Sequence, residues 1–532
     1  MGFLKKLLSK LQASLYIFKK AEILRNVVNK EIGGEYDNLC HQCYFNERFQ
    51  EQQVEGMPPD LSRLRISIYL GGALGDYIVY LRLVDELSAV CDCDLDLFLD
   101  RIEFGEFIYG GRQNVTIVHD VYNNLFVSST AHYDLALHVD HGATLKHINL
   151  GAIRAKAPNF FHTACKIEEA LLRNELHISD QHQRESVILR RAKFSGDSKW
   201  SLLSCGGAVD MGGMYSNILL NMRWLPVLER HALTGRRYIT VNFGADKNMG
   251  GTTQTKLLPV STLTEFIAAF KVAHPDLLVV QTGVKNSLKL DGADRYAFDC
   301  RLEETAILLK NSLLHVDCEG GLVHLASQLS TPCVVNFGPT PSYYYGYPRN
   351  ENIVSPVCGE CMSVTGQWSK VCPRGLQRAA CMAAITPQML LERAEKILTE
   401  LLPTQGLEPV QMTLRAAVQD VRAGQRVCLL APLGTETSAA AQALRKKGCT
   451  VSVYLPLQLD AKTCEMRGAL KKQGIRVEYG DAFNVAAATG SFDWVLCQSA
   501  GISKELITFA QDECARLMAV DGQVVWYGAE NI

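Results

Sequence analysis

The sequence predicts an α/β protein of three successive units, each a mostly parallel sheet covered by helices. Two patterns and the chain length predict it. Apolar runs of about four to eight residues, the length of buried strands, alternate with longer helix-patterned stretches from about residue 61 onward. Such alternation makes the sheets parallel and doubly wound. At roughly 150 residues per domain, a chain of 532 residues has room for about three.

In the first unit, 61–230, Arg65 to Leu70 reads as a buried strand that runs into Gly71-Gly-Ala-Leu-Gly-Asp76 and a helix through about Val90. Further strands are expected at Leu95 to Leu99, Val115 to His119 and Tyr133 to Val139, then a helical region from about Phe160 to Glu175. Residues 185–230 carry no clear period and read as a connecting or acceptor-side segment. The second unit, 231–403, opens with a strand from Arg237 to Gly244. It continues with a helix near Ser261 to His274, a strand at Leu277 to Gln281 and a helix at Glu303 to Asn311. A strand at Leu313 to Val316, a helix at Leu322 to Leu329 and a strand at Cys333 to Phe337 complete it.

Thr404 to Pro409 reads as a linker to the third unit, 410–532. Five short strands are expected there, at Arg426 to Ala431, Thr450 to Leu455, Arg476 to Tyr479, Phe492 to Leu496 and Gln523 to Tyr527. The layout is similar to a methyltransferase core, but a degenerate one. Its first turn, Ala431-Pro-Leu-Gly-Thr-Glu436, has one glycine, and no acid ends the second strand to hold a ribose. A structural or docking role is the expectation.

Lysine and arginine number 54 against 56 acids, a net charge of −2, so no global field draws the chain to nucleic acid. The 18 cysteines sit mostly singly inside apolar runs such as Val427-Cys428-Leu429, usage that suits a reducing cytoplasm. No apolar run approaches the roughly 18 residues of a membrane span. Residues 1–60 begin with a basic amphipathic helix over 1 to about 30, with Phe3, Leu4, Leu7, Leu8, Leu11 and Leu15 on one face. Two placements suit it: flat on an anionic membrane surface, or packed on its own protein or a neighbouring subunit. Cys40-His-Gln-Cys43, a lone pair, is a weak metal signal.

The chemistry concentrates at two glycine turns and one loop. Glu319-Gly320-Gly321-Leu-Val-His324 stands where a strand gives way to a helix. Free N–H groups at a helix start attract anions, and glycine lets a diphosphate approach the backbone. His324 reads either as a phosphate donor or as a satisfied core histidine. Asp76, just past a strand on its own glycine turn, is either a general base or a helix cap. Cys358-Gly-Glu-Cys361, Cys372 and Cys381 follow the pattern C-x2-C-x10-C-x8-C in a Pro- and Gly-bearing loop. Four thiols of that kind suit a closed, structural zinc or iron site, or else remain free thiols. Tyr343-Tyr-Tyr-Gly-Tyr347 supplies aromatics for stacking on a base, lining an acceptor path or packing.

Over about residues 65 to 402 these motifs resemble glycosyltransferase family 9, the ADP-heptose:lipopolysaccharide heptosyltransferase group. Glu319-Gly-Gly-Leu-Val-His324-Leu-Ala resembles that family's Asp-Thr-Gly-x-x-His-Leu-Ala signature, with Glu319 for Asp and Gly320 for Thr. Gly72-Ala-Leu-Gly-Asp76 resembles its Gly-x-x-Gly-Asp motif. The resemblance implies a GT-B fold, two facing Rossmann-like domains, here with a third α/β domain added. It implies an inverting transfer of heptose or a similar sugar, with no cofactor required, from a nucleotide-diphosphate donor. The acceptor would be a hydroxyl of a surface glycan, lipid-linked precursor or protein, as in lipopolysaccharide biosynthesis.

By the same resemblance Asp76 is the general base and Lys256 neutralises the donor diphosphate; the neighbouring hydroxyls of Thr252 and Thr253 are placed to bind phosphate oxygens. Leu257-Leu258 stands where the family has Arg-Trp. Glu319, Gly320, Gly321 and His324 complete the donor site, and the longer arm of Glu319 suits a sugar other than heptose. A related branch, the autotransporter heptosyltransferases, has a similar cysteine cluster that holds iron. The implied setting is the bacterial cytoplasm; peripheral membrane contact through residues 1–30 is one of the two placements open to that helix, which the resemblance does not cover. Two rivals stand beside this reading: a nucleotide-sugar-binding scaffold without turnover, and a GT-B epimerase or hydrolase.

Overall fold

The computed structural model describes residues 63–528 apart from 91–92, 113, 174–180, 219, 221–223, 245–254, 377–378, 401–409, 432–433, 456–460, 481, 500–501 and 503–506. The basic amphipathic segment 1–30, the Cys40–Cys43 pair, Thr252, Thr253 and the 404–409 linker lie outside the described residues.

Three sheets are present, and they share one winding. In the first unit β1 (Leu64–Leu70), β2 (Cys93–Leu99), β3 (Val115–His119) and β4 (Leu135–Val139) are parallel, and β5 (Ala143–Ile148) joins β4 antiparallel, in the order β3-β2-β1-β4-β5. In the second, β6 (Tyr238–Asn242), β7 (Leu278–Gly283), β8 (Arg295–Phe298), β9 (His315–Cys318), β10 (Cys333–Phe337) and β11 (Glu351–Val354) are all parallel, in the order β11-β10-β9-β6-β7-β8. The third holds β12 (Val410–Gln411), β13 (Arg426–Leu430), β14 (Thr450–Leu455), β15 (Arg476–Tyr479), β16 (Phe492–Gln498) and β17 (Met518–Tyr527). Its order is β12-β17-β16-β13-β14-β15, again parallel throughout. The strand order therefore reverses at β1/β4, β6/β9 and β13/β16. Open α/β sheets bind ligands at the carboxyl ends of the strands flanking such a reversal.

The helix Leu74–Val90 follows β1 and is buried on every side from Tyr77 to Ser88. A helix is buried all round when elements cover each face. Here the helix Gly321–Gln328 of the second unit, the short helix Lys199–Leu203 and the helix Ala461–Lys472 of the third unit all pack on it. Its buried charges are paired. Arg82 lies 2.6 Å from Glu86 and 3.3 Å from Glu478 of the third unit, and Asp85 lies 2.8 Å from Arg112. One apolar core runs from β1 and β2 through this helix into Val323, Leu325 and Ala326 of the second unit.

The third unit grips both others. Lys471 reaches Glu86 at 3.1 Å, Lys310 reaches Glu513 at 2.9 Å, and the Arg349 guanidinium, stacked 3.8 Å above the Tyr215 ring, donates to the Ala486 carbonyl. Residues 185–230, opaque in sequence, contain most of the helix Gln181–Ser195, then Lys199–Leu203 and a stretch with positive φ at Cys205, Gly206, Gly207, Gly212 and Gly213. Edge strands β5, β8, β11 and β12 add to those expected from sequence.

Candidate functional site

The first and second sheets turn their carboxyl ends toward each other, and the two glycine turns meet there. The contact is close because it is made of glycine. A Cβ on Gly75 would sit 2.6 Å from Cδ2 of His324 and 3.5 Å from Cα of Gly321, and one on Gly321 would meet Leu74 at 3.0 Å. Gly72 has φ +129, and a Cβ there would fall 2.6 Å from Oδ2 of Asp76. The turn therefore requires glycine both for its backbone and for the carboxylate beside it.

Asp76 lies in the first turn of its helix. Its Oδ2 accepts the Ala73 N–H at 2.9 Å, the capping bond of a helix start. Its Oδ1 accepts from the Lys199 ammonium at 2.6 Å. Burial alone would raise the Asp76 carboxyl, but Lys199 and then His141 hold it below the usual carboxylate range. Asp76 thus caps its helix and also presents an ionised carboxylate, its side chain 25% exposed, at the junction of the two units.

Lys199 escaped the sequence reading. Its side chain has no solvent exposure, and its ammonium lies 5.5 Å from the Tyr80 ring and 5.8 Å from the Tyr345 ring. It opens a one-turn helix whose start is fixed by a reciprocal pair of bonds between Ser198 and Ser201. The Ser198-Lys-Trp-Ser201 spacing was the only local signal, and it marks a helix start rather than a site.

On the facing side Lys256, Glu319 and His324 form a chain. The Lys256 ammonium donates to Oε2 of Glu319 at 2.5 Å and to the Glu319 carbonyl at 3.3 Å. Burial pulls the Lys256 pKa down, but Glu319 more than offsets it and leaves the group above its ordinary value. Burial likewise opposes ionisation of Glu319, yet Lys256 and His324 hold its carboxyl far below the normal range. Asp76 is close enough to act on Lys256 electrostatically. His324 is buried: Nε2 lies 3.5 Å from Glu319, and Nδ1 lies 3.0 Å from the Tyr347 hydroxyl, which also accepts from Gln328. With both nitrogens held inside the protein, His324 fixes Glu319 against the helix start. Gly320 is extended, and the N–H groups of Gly321 and Leu322 have no acceptor within the helix they begin. A narrow slot lined by Phe243, Leu257, Leu258 and Cys318 lies at the carboxyl ends of β6 and β9. A separate depression around Arg237, His274 and Glu395 lies at the amino ends of the strands and carries none of these groups.

The tyrosines after β10 pack rather than face a ligand. Tyr344 and Tyr347 are fully buried, Tyr344 donates to the His141 carbonyl, and Tyr343 donates to the Leu189 carbonyl. The four cysteines of the 358–381 loop are free thiols. Burial, then Cys358, Cys361 and Cys372, push the Cys381 thiol up to about 11, so the four are electrostatic neighbours. Among the described residues, however, no three of them converge as ligands of one metal ion. The donor set has the chemistry of a soft-metal site without its closed geometry.

The chain matches no protein-family model and no curated protein. Solved structures do resemble it. A family 9 glycosyl transferase from Veillonella parvula is 15% identical, covers 63% of this chain and 98% of its own, and superposes with a TM-score of 0.43. The ADP-heptose lipopolysaccharide heptosyltransferase II of E. coli gives 15% identity, 63% and 99% coverage and a TM-score of 0.40. The dodecameric iron-containing heptosyltransferase TibC, solved with ADP-D-beta-D-heptose, gives 13%, 64% and 77%, and 0.40. The architecture is two facing Rossmann-like units, the GT-B arrangement, with a third α/β unit added. Likenesses this distant leave substrate and chemistry to be read from the site itself. No helix among the described residues is long and apolar enough to cross a membrane.

Proposed function

We propose that the chain is an inverting glycosyltransferase that moves a sugar from a nucleotide-diphosphate donor to an acceptor hydroxyl. One observation carries the reading. A carboxylate at the end of the first sheet, Asp76, meets an ammonium, a second carboxylate and a glycine helix start at the end of the second, all at strand reversals.

The chemistry follows from those groups. Asp76 takes the acceptor proton as the acceptor oxygen attacks the anomeric carbon. The bond from that carbon to the diphosphate oxygen breaks, with inversion. Lys256 and the N–H groups at Gly320–Gly321 stabilise the charge that gathers on the departing diphosphate. Glu319 occupies Lys256 in the free protein. A diphosphate takes over that ammonium, and Glu319 turns to hydroxyls of the donor sugar. Heptose is the family's sugar; the longer arm at Glu319 favours testing hexoses beside it. Candidate acceptors are a surface glycan, a lipid-linked precursor or a protein hydroxyl at the cytoplasmic face of a bacterial membrane, with residues 1–30 as the contact. If the thiols of Cys358, Cys361, Cys372 and Cys381 closed on one ion, it would be a structural zinc or iron apart from the reaction.

Asp76→Asn tests the assignment against a panel of nucleotide sugars. The expected outcome is a turnover loss of about 10²- to 10⁴-fold with nucleotide affinity kept. The scaffold reading draws on one feature, that Asp76 and Glu319 are both already paired with buried lysines. Binding without turnover for every donor and acceptor would establish it.

A further inference from the structure

Resting on the donor site just proposed, we infer that Trp368 is a positioning residue for Lys256, delivered to it by the four-thiol loop. Trp368 is buried although its loop contains no strand and only the short helix Ala380–Ala383. The loop is pinned where it leaves β11: Glu360 and Met362 donate their N–H groups to the carbonyls of Gly338 and Pro339, each at 2.9 Å. At its middle it is joined to the lysine. The Thr255 hydroxyl donates to the Trp368 carbonyl at 2.9 Å, and the Thr255 N–H donates to the Ser369 carbonyl at 3.2 Å. The next residue is Lys256, whose ammonium lies 5.9 Å from the centre of the Trp368 ring, within the range of cation–π attraction.

The loop is also tied to the first unit. The Ser363 hydroxyl donates to buried Glu185, and Lys193 pairs with Glu360 at 2.5 Å. It therefore bridges both halves of the molecule and sets a ring face against the one ammonium assigned to the diphosphate. An aromatic face suits that task. It attracts the cation without offering a lone pair, so it holds the ammonium yet does not compete with phosphate oxygens as Glu319 does.

The test uses the full chain with two readouts. The first is acylation of Lys256 in the ligand-free protein, followed by mass spectrometry. Trp368→Ala is expected to raise its reactivity several-fold, Trp368→Phe to keep it near wild type, and Thr255→Val to fall between. The second is binding of a nucleoside diphosphate, where Trp368→Ala is expected to weaken affinity about tenfold, or about 1.4 kcal/mol, and to raise the donor KM more than it lowers kcat. Unchanged Lys256 reactivity in folded Trp368→Ala, or equal loss in the Phe variant, overturns the role given to Trp368. A wild type that binds no nucleoside diphosphate overturns the donor site, while the acylation result still decides whether Trp368 positions the lysine.

Discussion

Replacing Lys199 with Met removes one ammonium and keeps the length of the arm, which isolates the charge beside Asp76. At 2.6 Å the two unit charges attract by about 6 kcal/mol at an effective dielectric of 20. Desolvating a lysine with no exposed surface offsets much of that gain. Breaking a buried pair from one side nevertheless costs about 3–5 kcal/mol, because the other charge stays behind. Asp76 keeps some solvent contact, so the lower end, about 3 kcal/mol, is expected.

The sign with pH follows from the depressed Asp76 carboxyl. Its contribution to stability is complete above the ordinary value of 3.8 and is lost as pH falls through the folded value. The deficit of Lys199→Met therefore shrinks in acid. Without Lys199, burial acts on Asp76 with less opposition, so the acid limb of turnover moves to higher pH. Urea unfolding of Lys199→Met, Asp76→Asn and the double variant at pH 7 provides the assay. The double variant should be less destabilised than the sum of the singles by about 2 kcal/mol. Additive losses, together with an acid limb that does not move, would refute the coupling.

Three further outcomes follow. Gly75→Ala drives a methyl group to within 2.6 Å of a His324 ring already pinned by Glu319 and Tyr347, and should cost about 1–3 kcal/mol in thermal or urea unfolding. The buried Glu513 carboxyl, held at about 2 by Arg516 and Lys310 despite burial, stabilises the docked third unit fully above the ordinary 4.5. That stabilisation, about 3 kcal/mol for a difference of roughly 2.5 units, is lost as pH falls through about 2, and the difference in unfolding free energy between wild type and Glu513→Gln should shrink by that amount through the window. Elemental analysis of purified protein should find up to one zinc or iron per chain, lost in Cys361→Ser/Cys372→Ser; a metal-free, fully stable wild type would remove the structural ion from the account.

The elements that anchor the site were legible because each is local. Asp76 and Glu319 both stand where an apolar run, a glycine pair and a helix pattern succeed one another, whereas Lys256 was singled out only by the family resemblance. Lys199 was not legible, since its partner lies 123 residues away and a buried lysine looks like a surface one in a sequence. Trp368 was hidden for the same reason, 113 residues from the threonine that holds it. The edge strands β12, with two residues, and β8 and β11, with four each, escaped because they are short; β5 has six residues but none is buried, so it carries no apolar run. His324 shows where two readings of one residue merge. It is a satisfied buried histidine, and what satisfies it is the acid that holds Lys256.

The most direct test of the central claim is calorimetric or thermal-shift binding of nucleoside diphosphates and nucleotide sugars to wild type and Lys256→Ala. At a ligand concentration of one hundred Kd the account predicts a stabilisation of about 2.7 kcal/mol for one nucleotide, largely absent in the variant. No stabilisation of the wild type by any nucleotide would contradict it.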